Sequence, residues 1–374
     1  MGCFVEDAIG DFPPKNNVLA PLDISGWNYG AKYRFARASY PDMPLVYTES
    51  ASAFSTRGYY DLRHPEKKDQ YDFESQQVDS YDLISANGPR DIPEIDFERM
   101  AVDRYVAGEF VWTGFDYIGE PAPFEQTAKV SYFGIVDLCG VPKDRFWLYR
   151  SHWNSRDVTV HILPHWNWNQ AEVKNVPVYV YTSGDSAELF LNGKSLGKKS
   201  KDLTRTLEKP DGVDFDLPDY YWVVDKYRLR WEDVPYEPGA LEVVAYKDGQ
   251  EIGRDGVRTA GDVAALCATP EKDAFESDDD LVYVAVNAVD ENGVICPNAG
   301  NRFSVSVDGP AVIAGLGNGN PIDLDSFADN SHELFFGAAT LILRSLPGTT
   351  AAETPVNVTI TSEGLEDVSF TIGK

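Results

Sequence analysis

The rhythm of apolar and polar positions changes near Asn154. Before it, short apolar runs read as strands: "LDISGWNY" (22–29), "PLVYTE" (44–49) and "EFVWTGFDY" (109–117). Between and after them lie stretches with helical spacing. These are "YGAKYRFARASY" (29–40), "IPEIDFERMAVDRYVAG" (92–108) and "PKDRFWLYRSHW" (142–153). The second has Pro93 in its first turn and Gly108 placed as a stop just past its end. A polar loop around "RHPEKKDQYDFESQQ" (63–77) interrupts the series. Strands alternating with helices predict a parallel sheet.

Beyond Asn154 the helical spacing disappears and period-two alternation takes over. "VTVHILPHW", "VPVYVYTSG", "AELFLNGKSLGK" and "ALEVVAYKDGQEIGR" are joined by turn signals such as Asn192-Gly193 and Asp248-Gly249. A second set, "LVYVAVNAVDENG", "RFSVSVDGPAVIAG" and "PVNVTITSEG", begins after about Asp262. The chain is therefore predicted to be α/β followed by all-β. The expected boundaries are 1–155 for the α/β part, 156–261 for one β-sandwich and 262–374 for an immunoglobulin-like second one.

Composition narrows the function classes. The 374 residues include 19 Phe, 20 Tyr and 8 Trp, enough for several cores. The net charge of −27 repels phosphate backbones, so no nucleic-acid partner is expected; a solvated, soluble surface is its simplest reading. Cys3, Cys139, Cys267 and Cys296 are scattered and read as isolated thiols. No apolar run is long enough to span a membrane. The first residues, "MGCFVEDAIGDF", lack the basic and apolar regions of a signal peptide. The compartment stays open between cytoplasm and a bacterial periplasmic or secreted location.

One carboxylate stands out. Glu49 ends the strand "PLVYTE" and is followed by the small residues "SASA". A carboxylate at a strand's C-terminal end, with room beside it, suits catalysis; the alternative is a Glu paired with a basic loop residue. Asn28 and Tyr29 end the preceding strand and Trp112 ends the next one. Amide, phenol, carboxylate and indole together suit a sugar, whose hydroxyls and C–H face need both polar and aromatic partners. Taken singly, Tyr29 and Trp112 could equally be core. His161 and His165 lie four apart, but Pro164 and the alternating pattern favour strand and turn over a helical metal site. Trp166 and Trp168 are expected to pack rather than to bind sugar. "GLGNGN" (315–320) has no helix after it and reads as a tight loop, and "NVT" at Asn357 is a glycosylation sequon. No metal and no cofactor are expected.

Together these segments resemble glycoside hydrolase family 2, the β-galactosidase family. "PLVYTESASA" resembles its nucleophile motif and "DISGWNYG" the strand before it. "GEFVWTGFDYIGEP" and "SYFGIVDLCGVPKDRFWLYRSHW" are similar to the end of its catalytic barrel, and the β segments to its C-terminal sandwiches. The resemblance implies a partial (β/α)8 (TIM) barrel holding its sixth to eighth strands, then two β-sandwich domains. It implies Glu49 as nucleophile, with Asn28, Trp112 and Tyr29 around the sugar, and a β-galactoside as substrate. It also implies an acid/base residue in an Asn-Glu pair on an earlier strand; no Asn-Glu pair occurs here. The chain is thus expected to be the C-terminal part of an enzyme, inactive alone, whose partners would be the N-terminal part or a second copy. A β-glucuronidase or β-mannosidase fragment and a non-catalytic carbohydrate-binding piece are the alternatives.

Overall fold

The computed structural model describes residues 19–62, 71–81, 92–124, 127–205, 221–347 and 355–373. Its N-terminal region is built on three parallel strands. Leu45–Ser50 lies between Ser25–Asn28 and Val106–Val111. Helices Tyr33–Ser39, Pro93–Val102 and Asp144–Trp153 occupy the expected stretches. One face of the sheet is sealed by apolar and aromatic packing, with Trp27, Tyr33, Ala36, Leu45 and Tyr47 buried together. Phe110 and Phe115 are each 64% exposed, so the strand Val106–Val111 and the loop after it carry bare aromatic surface.

The helix Pro93–Val102 begins as its sequence predicts. Ile92 is extended, Pro93 opens the first turn, and Glu94 and Asp96 sit near the positive end of the helix dipole. Its end is earlier than expected. The chain leaves the helix after Val102 and is already a strand at Val106, so Gly108 lies inside that strand rather than after the helix. Of the polar loop, Tyr71–Asp72 and Gln77–Val78 pair as a small antiparallel ladder, while residues 63–70 lie outside the described residues.

The remainder is mainly β. The sheet of Val160–Leu163, Asn175–Thr182 and Arg228–Pro235 faces a second sheet of Ser186–Leu191, Lys194–Ser200, Ala240–Lys247 and Gln250–Arg258. Ile162, Trp166, Val178, Leu189 and Val243 close the core between them. Asn192-Gly193 and Asp248-Gly249 have φ of 50° and 78°, and 52° and 78°, the left-handed pair that a two-residue hairpin turn requires. A second pair of four-stranded sheets follows between Ala265 and Ile372 around Val284, Phe303, Leu341 and Val358.

The absence of helix beyond Asn154 is corrected at one place. Tyr221–Tyr227 is helical and leads into the strand Arg228–Pro235. That strand eluded the alternation because its buried side holds charge: Arg228 and Arg230 are both buried. The Arg228 guanidinium pairs with Glu94 and donates to the Tyr81 carbonyl at 2.7 Å. Lys226 and Tyr227 both meet Glu98. The helix Pro93–Val102 is thereby clamped to the first β region through buried charge. Among the described residues no helix is long and apolar enough to cross a membrane.

Candidate active site

The central strand Leu45–Ser50 changes facing as it ends. Tyr47 points to the helices, where its hydroxyl donates to Asp96 at 3.1 Å. Thr48 points to the other side: a Cβ placed on Gly26 would meet its methyl at 2.6 Å, so the strand before it needs a glycine there. The register then slips against both neighbours, between Trp27 and Asn28 on one side and between Tyr47 and Ser50 on the other. Such a bulge re-aims the side chains at a strand's end.

Glu49 sits at this irregularity. The Tyr29 hydroxyl donates to its Oε2 at 2.7 Å, and the Tyr29 N–H donates to its backbone carbonyl at 2.9 Å. The Trp112 N–H donates to the Ser50 carbonyl at 3.0 Å. The half-buried Trp112 ring lies edge-to-face with Tyr117, at 5.8 Å and 76°. Thr48 Oγ1 donates to Asn28 Oδ1 at 2.7 Å, which leaves the Asn28 Nδ2 hydrogens for another partner. Asn28, Tyr29, Glu49 and Trp112 thus sit at the C-terminal ends of neighbouring strands, tied together by backbone bonds. Tyr29, Ala31 and Ala51 all have positive φ, at 53°, 55° and 38°. Left-handed non-glycine residues cost roughly 1–3 kcal/mol each and cluster where geometry serves function.

One residue that gave no signal in the sequence holds this mouth. Asp96, on the helix Pro93–Val102, accepts the Ala51 N–H at 2.9 Å and pairs with Arg99 at 2.7 Å. It fixes the backbone just past Glu49 from behind the sheet. In the sequence it reads only as an acidic residue of a helix's first turn. Glu109 lies on that side as well. Burial, and then the Asp96 carboxylate, push its carboxyl up to about 8. Glu120 instead bonds the Tyr117 hydroxyl at the surface. Asp116 is structural: it pairs with Lys143 at 2.7 Å, accepts the Gly134 N–H, and is raised by burial to about 6.

His161 and His165 lie at a strand and the turn after it, as expected. His161 bonds Asp144 at 2.7 Å and stacks on Trp147. His165 stacks on Trp168 at 4.4 Å, and the buried Trp166 donates to the Glu237 carbonyl. Cys139, Cys267 and Cys296 are free thiols.

The loop after the strand Ala311–Gly317 reaches this region from the far end of the chain. Arg57 bridges it, donating to the Asn318 carbonyl at 2.7 Å while pairing with Asp137 at 2.7 Å. Gly319 has φ +76°, and a Cβ there would lie 2.2 Å from Asp137, so only glycine fits the contact. Lys129 N–H donates to the Pro321 carbonyl at 3.0 Å. Ile322 then packs on the Phe54, Phe124, Tyr132 and Phe133 cluster, which Trp112 and Tyr117 also touch.

Comparison with known proteins points to one family. Residues 266–371 match the glycoside hydrolase family 2 C-terminal domain 5, and residues 173–253 match a domain of unknown function. The chain is 35% identical over 366 residues to the β-galactosidase BoGH2A of Bacteroides ovatus, covering 94% of this chain and 39% of that protein. The chain is thus similar to glycoside hydrolase family 2 proteins along almost its whole length. It is also 30% identical to a putative β-glucuronidase of Formosa agariphila, covering 87% of this chain and 32% of that one. A β-glycosidase structure from Bacteroides vulgatus superposes with a TM-score of 0.78 at 26% identity, covering 94% of this chain and 45% of the other. A family 2 structure from Bacteroides cellulosilyticus gives 0.68 at 27%, covering 95% and 41%. The chain spans about two fifths of these relatives' length and corresponds to their C-terminal portion.

Proposed function

We propose that this chain is the C-terminal part of a retaining glycoside hydrolase acting on terminal β-galactosides, with Glu49 as its nucleophile. The observation that carries the reading is the Tyr29 hydroxyl on Glu49 Oε2 at a strand's C-terminal end, between Asn28 and Trp112. A phenol hydrogen bond orients a carboxylate and leaves its other oxygen to attack the anomeric carbon. The Asn28 amide then serves a sugar hydroxyl and the Trp112 indole a C–H face. We assign the boundaries as 1–155 for the end of a (β/α)8 barrel, 156–261 for a sandwich and 262–374 for an immunoglobulin-like sandwich.

Retention requires a second carboxyl about 5–5.5 Å from the first. Asp96 and Glu109 face the helices and Glu120 bonds Tyr117, so none of the three is placed as that acid. The family resemblance assigns it to an Asn-Glu pair, which these residues do not contain. Lactose turnover is therefore expected only when a polypeptide supplying that acid completes the site, since general acid catalysis contributes roughly 10²- to 10⁴-fold. The 35% identity to a β-galactosidase supports the sugar.

The test is covalent labelling of the completed enzyme with a 2-deoxy-2-fluoro galactoside, followed by peptide mapping. The label is expected on Glu49, and Glu49→Gln is expected to fold and lose several orders of magnitude in kcat. Label on another residue removes the nucleophile assignment. Labelling only by the matching glucuronide moves the substrate to a uronic acid.

A further inference from the structure

Asp323, Asp325 and His332 bring two carboxylate oxygens and a ring nitrogen within 4.8 Å of one another. The two aspartates follow Ile322 on the loop that touches the aromatic cluster, and His332 is the middle residue of the short strand Ser331–Glu333. His332 is 1% exposed, and neither of its ring nitrogens has a hydrogen-bond partner. That is unusual, because a buried imidazole normally satisfies at least one nitrogen. Its Nδ1 instead stands 3.3 Å from Asp323 Oδ2.

The aspartates are already held in place. Asp323 Oδ1 accepts the Asp325 N–H at 2.8 Å, and its Oδ2 accepts Asn318 Nδ2 at 2.8 Å. Asp325 Oδ2 accepts from Arg302 at 2.7 Å at the surface. A carboxylate has lone pairs to spare beyond one such bond, so none of these contacts bars a cation.

We propose that Asp323, Asp325 and His332 form a site for a divalent transition metal of the zinc type. One imidazole with two carboxylates suits such an ion, whereas calcium and magnesium favour all-oxygen sets. The 3.3 Å gap between Nδ1 and Oδ2 matches the edge of a tetrahedron with bonds of about 2.1 Å. The ion answers the orphaned imidazole and leaves a fourth position for water. It joins the loop bearing Ile322 to the strand behind it, and so stiffens a wall of the region around Trp112 rather than taking part in the chemistry. The site gave no signal in the sequence because its ligands, D-x-D and a histidine seven residues on, follow no standard metal spacing.

The 374-residue chain, stripped with chelator, should be titrated with Zn²⁺ by calorimetry and then dialysed for metal analysis. About one zinc per chain is expected, with a raised unfolding temperature and no comparable effect of Ca²⁺. His332→Gln and Asp323→Asn should each weaken uptake at least tenfold. Asp325→Asn, changed nearer the surface, provides the same reading should the buried variant misfold. Cys267→Ser should leave uptake unchanged, which excludes the exposed thiol as the ligand. Absence of stoichiometric zinc, or equal uptake by the parent and the folded Asp323 and Asp325 variants, overturns the site.

Discussion

The parallel region and the two antiparallel regions solve the same problem by different means. The last pair of sheets closes on itself around an aliphatic core that includes Val284, Leu341 and Val358, while the sheet before it also packs Leu163, Tyr179 and Tyr181 against the N-terminal region. The parallel sheet has one packed face, and its framing helix is held by buried charge: Glu94, Asp96, Glu98 and Arg99 are all at most 4% exposed. An aliphatic core tolerates small shifts. A buried ion pair is favourable only while every partner stays in place. The candidate chemistry sits in the second kind of region, where geometry is fixed by directional contacts.

The sharpest way to break this contrast is to remove one buried partner. Arg228→Ala leaves Glu94 without its guanidinium and is expected to cost about 3–5 kcal/mol. Urea unfolding should lose cooperativity, and limited proteolysis should cut within residues 19–155 while the β regions survive. A single cooperative transition, merely shifted, would show that the two kinds of region stand or fall together.

Next in size is the mouth itself. In the completed enzyme, Trp112→Ala should lower kcat/KM by an amount corresponding to about 1–3 kcal/mol, as loss of an apolar pocket contact does. Unchanged kinetics with an intact fold would reduce Trp112 to packing on Tyr117.

A third effect is in pH dependence. The Glu109 carboxyl is raised to about 8 from an ordinary 4.5, first by burial. Such a group holds more protons in the folded chain than in the unfolded one. Its contribution is therefore most favourable in acid and is lost as pH rises from about 4.5 through about 8. Glu109→Gln should flatten that decline in urea midpoint, with the variant gaining on the parent toward pH 8. Parallel curves would mean that Glu109 ionises without cost.

The sequence allowed most of the elements to be read wherever local pattern and packing agree. Asn192-Gly193 fixes a turn by its own φ preferences, and Pro93 opens a helix for the same kind of local reason. Glu49, Asn28, Tyr29 and Trp112 were legible as strand ends. What escaped depended on distant partners. Arg228 looks like surface until Glu94 is brought to it from 134 positions away in the chain. Asp96 looks like a helix-dipole residue until the Ala51 N–H arrives. Residue spacing carries no record of such meetings, because the tertiary fold alone brings the two ends together.

The contact between Ile322 and the aromatic cluster has a consequence for the order of events on the ribosome. Trp112 leaves the exit tunnel about 210 residues ahead of Ile322. At ordinary elongation speeds, that interval is on the order of 10–40 s. Through that interval the cluster is present without the loop that Arg57 and Gly319 later dock onto it. This part of the molecule therefore cannot reach its final form until residue 322 has been made. It is finished only once residue 322 has emerged, and a ribosome that stalls before that point releases a chain whose aromatic cluster is left for chaperones to cover.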